Sequence, residues 1–221
     1  MQLSTILYSL AATSLTMAQR SPDPGDHFDL KTEGPFALRV RGHDKNNTID
    51  GYLRTVSSGM HTLPEYAAGI SDAPIADNSS YHFYFNYTEE MKTSSGIQLG
   101  FLATDLDADA ADSPLGLKGQ ALTLRHELRS NVSPAILGSD TVVFTGFDDD
   151  DQSFLIDGLD DGTYVAGEKK PESGDYYFYR WAVCWQLVDY IYTPSLSWVA
   201  WGEARNPTCE LVDLIKVPLE K

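Results

Sequence analysis

The sequence predicts an all-β, single-domain fold, an antiparallel β-sandwich with a trefoil-like or irregular closed barrel as the alternative arrangement. Period-2 alternation and clusters of aromatic and β-branched residues recur along the chain. No stretch holds a 3.6-residue apolar stripe over the roughly 10 to 12 residues that a helix requires. Clusters of Gly, Pro, Asn and Asp cut the chain into short segments about 8 to 25 residues apart, the punctuation expected of sandwiches and barrels.

Taken in order, residues 1–18 come first as an uncharged apolar stretch (Leu3, Ile6, Leu7, Leu10, Leu15) that ends in Thr16, Met17 and Ala18. Its apolar part is too short for a bilayer of roughly 30 Å and small residues sit at its end, so it reads as a secretory signal peptide cleaved after Ala18. Residues 19–34, with Pro22, Pro24 and Gly25, read as a flexible lead-in, and residues 35–221 as the β-rich domain. The candidate strands are Phe36 to Arg41, Tyr52 to Ser57, the aromatic Tyr81 to Tyr87, Gly96 to Ala103, Ala121 to Leu128, Thr141 to Thr145, Ser153 to Asp157, Tyr176 to Leu187, Ser197 to Gly202 and Cys209 to Val217. In Ala121 to Leu128 the spacing of Leu122, Leu124 and Leu128 suits a strand better than a helix. In Tyr176 to Leu187, Tyr177, Tyr179, Trp181, Val183, Trp185 and Leu187 fall on one face, so the segment reads as one central strand with that face buried.

Sixteen basic against 32 acidic residues give a net charge of −16, which repels nucleic acids and anionic lipid surfaces. No later apolar run approaches the length of a membrane span, so membrane insertion is not expected. The two cysteines, Cys184 and Cys209, read as a disulfide in the oxidising secretory route. A closed loop of about 26 residues then stabilises the fold by roughly 3 kcal/mol in the chain-entropy picture. Four tripeptides fit the N-glycan acceptor pattern, at Asn46, Asn78, Asn86 and Asn131, whereas Pro207 removes Asn206 from the set.

Two acidic runs raise the question of calcium, because hard cations take several carboxylate oxygens. Asp105, Asp107, Asp109 and Asp112 lack the Gly and the bidentate Glu of a helix-loop-helix site, having Ala110 and Gly116 there. The second run, around Asp148, Asp149, Asp151 and Asp157, also departs from that pattern but is the better candidate for an irregular calcium loop; calcium is the one cofactor considered. The alternative for both is turn chemistry.

For hydrolysis, the chain has no G-x-S-x-G elbow, and His126-Glu127 lacks a second His four residues on. A paired-carboxylate glycosidase has no fixed spacing, and Trp198, Trp201 and Glu203 are the place where aromatic rings for sugar stacking adjoin an acid. The aromatic runs 81–87 and 176–185 are too rich for one core face, so some rings are expected at the surface.

The segments Phe36-Ala37-Leu38-Arg39-Val40, Tyr84-Phe85-Asn86-Tyr87-Thr88 and Phe154-Leu155-Ile156-Asp157-Gly158, with an aromatic strand into Cys184 and a short strand after Cys209, resemble small secreted proteins of filamentous ascomycete fungi. The last third is similar in layout to fungal cell-wall proteins of the phialide-development and IgE-binding type. The resemblance implies an extracellular or wall address and transfers no catalytic residue. The expectation is therefore a secreted, non-enzymatic extracellular or cell-wall-associated protein, with glycan, wall polysaccharide, a host surface or an extracellular protein as the candidate partner. A secretory-pathway enzyme (a glycan-active hydrolase or a secondary-metabolism cyclase) or a host-directed effector is the alternative.

Overall fold

The computed structural model describes residues 30–44, 47–68, 77–104, 119–127, 130–138, 142–160, 162, 164–168 and 172–219. The expected signal peptide, residues 19–29 of the lead-in, Asn46 and the Asp105 to Asp112 run lie outside the described residues.

The fold is all-β and antiparallel. Thirteen strands and no α-helix occur among the described residues: β1 (Lys31–Gly42), β2 (Asp50–Ser57), β3 (Thr62–Ala68), β4 (Phe83–Tyr87), β5 (Leu99–Thr104), β6 (Gln120–Leu124), β7 (Val132–Gly138), β8 (Thr145–Phe147), β9 (Ser153–Asp157), β10 (Tyr176–Phe178), β11 (Trp181–Val188), β12 (Ile191–Val199) and β13 (Glu210–Pro218). They form a single sheet in the order β10-β9-β8-β5-β4-β1-β13-β11-β12-β3-β7-β6, with β2 between β1 and β3. β6 also pairs with β5 through Ala103↔Ala121 and Thr104↔Gln120, so the path returns on itself, while β8, β9 and β10 continue from β5 as an arm. The closure is not a regular barrel.

β1 begins at Lys31, inside the segment expected as lead-in, because Lys31, Thr32 and Glu33 pair with Tyr87, Asn86 and Phe85 of β4. The register then shifts between Glu33 and Phe36, and the second half of β1 pairs with β13 and β2. Gly34 permits the shift: its φ is +126°, and a Cβ there would lie 2.8 Å from the Phe83 carbonyl oxygen.

The main core gathers Leu38, Val40, Leu53, Phe83, Leu102, Leu122, Leu137, Trp181, Leu196, Trp198 and Leu214. Trp181 and Trp198, cross-strand partners on β11 and β12, meet edge-on with ring centroids 5.0 Å apart. A second cluster around Phe101 and Phe154 packs under the arm and includes Tyr177 and Tyr179 at its margin.

The segment 176–187 is two strands. Tyr176 to Phe178 pair with β9, and Trp181 onward pairs with β12 and β13, so the chain changes partner at Tyr179 and Arg180. The expected buried face therefore ends early. Trp181 and Val183 are buried, but Trp185 is 48% and Leu187 66% exposed, because the outer half of the β11–β12 hairpin extends past the core.

The tip of that hairpin is the two-residue turn Asp189-Tyr190, flanked by the pair Val188↔Ile191. Both residues have positive φ, +48° and +71°, as a type I′ turn requires. Asp tolerates this region, but Tyr carries the Cβ penalty of about 1 kcal/mol. Tyr190→Gly is therefore expected to raise stability by up to about 1 kcal/mol in chemical denaturation; a loss of stability would show that the ring itself holds the turn.

Candidate binding surface

The outer half of the hairpin presents a continuous apolar face. Trp185 pairs with Pro194 and Leu187 with Tyr192, and cross-strand partners share a face. Trp185 and Tyr192 lie against each other, ring centroids 5.5 Å apart and planes 33° off parallel, while Tyr192 remains 62% exposed. Beyond them the Tyr190 ring is almost wholly in solvent. Met60, also exposed, is carried by the β2–β3 turn, which is fastened to the hairpin tip.

That fastening runs through Asp189. Its nearly buried carboxylate has Ser58 Oγ at 3.0 Å and His61 Nδ1 at 2.6 Å on one oxygen, and accepts from Arg125 at 2.8 Å on the other. Burial acts to raise the Asp189 pKa, yet the hydrogen bonds from His61 and Ser58 and the charges of His61 and Arg125 outweigh it and hold the carboxyl below its usual range. A lowered carboxyl pKa contributes stability that is present above the unfolded value of about 3.9 and is lost as pH falls through the folded value. The stability difference between the wild type and Asp189→Asn is thus expected to be widest near pH 7 and to shrink as the pH drops below about 4. Denaturation curves at pH 7 and pH 3 read this, and a gap that stays constant would remove the ionised carboxylate from the account.

Ser58, His61 and Asp189 do not form a nucleophile-base-carboxylate chain. Ser58 Oγ faces Asp189 and the His61 carbonyl oxygen rather than the imidazole, so no base stands ready for its proton. The three residues act as a peg for the hairpin tip.

The other side of the hairpin base is fixed by the loop 200–209. Thr208 Oγ1 accepts from the Trp185 N–H at 3.0 Å, and Asn206 Nδ2 donates to the Trp185 carbonyl at 3.1 Å, which satisfies the free edge of β11. Cys184 and Cys209 form the expected disulfide and tie the loop to β11. From below, the buried Asn131 side chain donates to the carbonyls of Trp201 (2.5 Å) and Glu203 (2.7 Å) and accepts from the Arg205 N–H (2.9 Å). Arg180 donates to the carbonyls of Val199, at 2.7 Å, and of Gly202.

The residues singled out in the sequence separate accordingly. Trp198 is not a stacking platform, because it lies in the core against Trp181. Trp201 is 57% exposed, with the Arg205 guanidinium 4.9 Å from its ring centroid. Asn86 and Asn131 are buried and hydrogen-bonded, Asn86 accepting from Thr32 Oγ1 at 2.7 Å, so neither offers its amide to a glycan in the folded chain. Asn78 is exposed and caps the short 3₁₀ turn Ser79–Tyr81 through its side-chain oxygen, which leaves its amide nitrogen outward.

The second acidic run forms a hairpin turn. Asp148 Oδ1 accepts the N–H groups of Asp150 and Gln152, and its Oδ2 accepts from the Tyr179 hydroxyl at 3.0 Å. Burial, followed by this bond and the charge of Asp148, pushes the Tyr179 pKa up to about 12. Asp149 is exposed in the turn, and Asp151, at φ +58°, pairs with Lys216 at 3.2 Å. Asp157 ends β9, about 13 Å along the strand from the turn, and accepts the Leu159 N–H. No group of three or more His, Cys, Asp or Glu side chains suited to a metal ion occurs among the described residues.

The hairpin platform itself was not singled out in the sequence, since Trp185 and Leu187 read as core. The signal was the turn: Val188-Asp189-Tyr190-Ile191 folds back so that Trp185, Leu187, Tyr192 and Pro194 share one side.

Residues 33–218 match the family described as Domain of unknown function (DUF7907). No curated protein and no solved structure matches the chain.

Proposed function

The chain belongs to the DUF7907 family, and on that footing we propose that it is a secreted, non-enzymatic protein that adsorbs to an uncharged extracellular polysaccharide through the outer face of the β11–β12 hairpin. The observation that carries this reading is the exposure of Trp185, Leu187 and Tyr192 on one face of a hairpin whose base and tip are both fastened. Rings already held in place lose little entropy on binding, and a broad flat aromatic face suits the apolar side of an extended sugar polymer. The net charge of −16 disfavours polyanionic ligands and leaves neutral ones unopposed. The leader-like residues 1–18, the Cys184–Cys209 disulfide and the resemblance to secreted ascomycete wall proteins support an extracellular address.

The test is a depletion assay of the purified protein with insoluble chitin, insoluble β-glucan and a carboxylated polyuronate gel. Saturable adsorption to a neutral polymer and none to the polyuronate is expected. Full recovery in every supernatant would refute the proposal.

A further inference from the structure

Arg205 stands apart from the other described arginines. Arg39, Arg41, Arg54 and Arg125 pair with Asp50, Asp213, Glu65 and Asp189, and Arg180 caps two backbone carbonyls. Arg205 has no carboxylate partner among the described residues although acids outnumber bases two to one in the sequence; its guanidinium lies instead over the exposed Trp201 ring. A guanidinium held over a ring face still has N–H groups left to donate. Glu203, two residues away and exposed, likewise has no side-chain partner among the described residues.

Beyond the Arg205–Trp201 contact these side chains add little to stability, yet the loop backbone is held at four points by the Asn131 and Arg180 side chains, and Thr208 and the disulfide tie its far end to β11. Its exposed groups are thus presented with little freedom, the arrangement that favours recognition. Asn206, next to Arg205 in the chain, bonds the Trp185 carbonyl, so the loop directly adjoins the hairpin platform.

We propose that Trp201, Glu203 and Arg205 form a hydroxyl-reading subsite beside the platform, taking one uncharged sugar ring of the polysaccharide, an inference that rests on the adsorption reading above. Trp201 stacks on the ring, Arg205 donates to its hydroxyl oxygens and Glu203 accepts from its hydroxyl hydrogens. A hydroxyl meets both a donor and an acceptor, whereas a ligand carboxylate would be attracted by Arg205 but opposed by Glu203 and the overall charge. The platform supplies contact area, and this subsite supplies the polar contacts that discriminate between polymers.

Adsorption isotherms of wild type, Trp201→Ala, Arg205→Gln and Glu203→Gln on insoluble chitin, insoluble β-glucan and a polyuronate gel test this, with thermal midpoints as the folding control. Each substitution is expected to weaken binding to the preferred neutral polymer about tenfold, the cost of one lost charged hydrogen bond or ring contact, and to reduce the preference between the two neutral polymers. Unchanged isotherms for all three variants, with wild type binding, would overturn the subsite and leave the platform reading intact. Binding to the polyuronate that is lost in Arg205→Gln would overturn the choice of an uncharged ring, and absence of wild-type binding to all three polymers would overturn both readings.

Discussion

Replacing Trp185 and Tyr192 together by Ala is expected to lower adsorption to the neutral polymer by at least about 100-fold while costing less than about 1 kcal/mol of stability. The asymmetry follows from their position. Both rings are about half or more exposed on the outer half of the hairpin, and their one described ring contact is with each other at 5.5 Å. Cross-strand aromatic pairs contribute about 0.2 to 1 kcal/mol to a sheet, so little of the fold depends on them. As anchors against a ligand, each is expected to contribute about 2 kcal/mol, or roughly 30-fold. The same double substitution at Trp181 and Trp198 would instead collapse the core, since truncating one buried Trp costs about 3 to 5 kcal/mol. Depletion isotherms and denaturation midpoints measured side by side separate the two effects. Equal losses in binding and stability for Trp185→Ala/Tyr192→Ala would mean that the platform is structural.

Asn131→Ala is expected to destabilise the protein by about 3 kcal/mol, because it removes three hydrogen bonds and leaves two carbonyls and one N–H of the 200–209 loop without their partner. The loop should loosen with it, and binding should fall even though Asn131 is too deep to touch a ligand. Urea denaturation reads the first effect and the isotherm the second. The same geometry bears on glycosylation. A glycan on Asn131 or Asn86 would require a buried amide to leave its partners, so intact-mass and peptide mapping should find neither occupied and, among the described acceptors, only Asn78 available. A fully glycosylated Asn131 in folded protein would contradict this placement.

Much of the fold is legible in the sequence where alternation is strong. β9 falls at Ser153–Asp157 as read, and the readings for β1, β2, β4, β5 and β13 fall on observed strands with shifted ends. β3 and β7 escaped because each carries a mid-strand proline, Pro64 and Pro134, which ordinarily argues against a paired strand. β12 begins at Ile191, ahead of the expected start at Ser197, because Pro194 likewise interrupts the strand signal. The break at Tyr179 and Arg180 is invisible to periodicity, because the residues alternate correctly through a change of partner strand.

The candidate site was legible only in part, for a related reason. Alternation says which residues share a face but not how far the core extends beneath it, so Trp185 and Leu187 were grouped with Trp181 and Val183 although they lie beyond the core edge. Trp201 and Trp198 looked equivalent because both lie close in sequence to the acid Glu203; only the pairing Trp181↔Trp198 places one in the core and leaves the other on a pinned loop. The aspartates around Asp148 had the composition of a cation site, but Asp148 spends its oxygens on the turn's own N–H groups and the Tyr179 hydroxyl, and Asp151 pairs with Lys216.

In the proposed mode of binding the hairpin face, not the core or an enclosed pocket, contacts the polymer. The most direct test of this mode is selective chemical oxidation of tryptophan in free and polymer-adsorbed protein, followed by peptide mass analysis. In free protein, Trp185 and Trp201 should react while the buried Trp181 and Trp198 do not. On adsorption the account predicts strong protection of Trp185, accompanied by Trp201. Oxidation of Trp185 at the same rate in bound and free protein would contradict it.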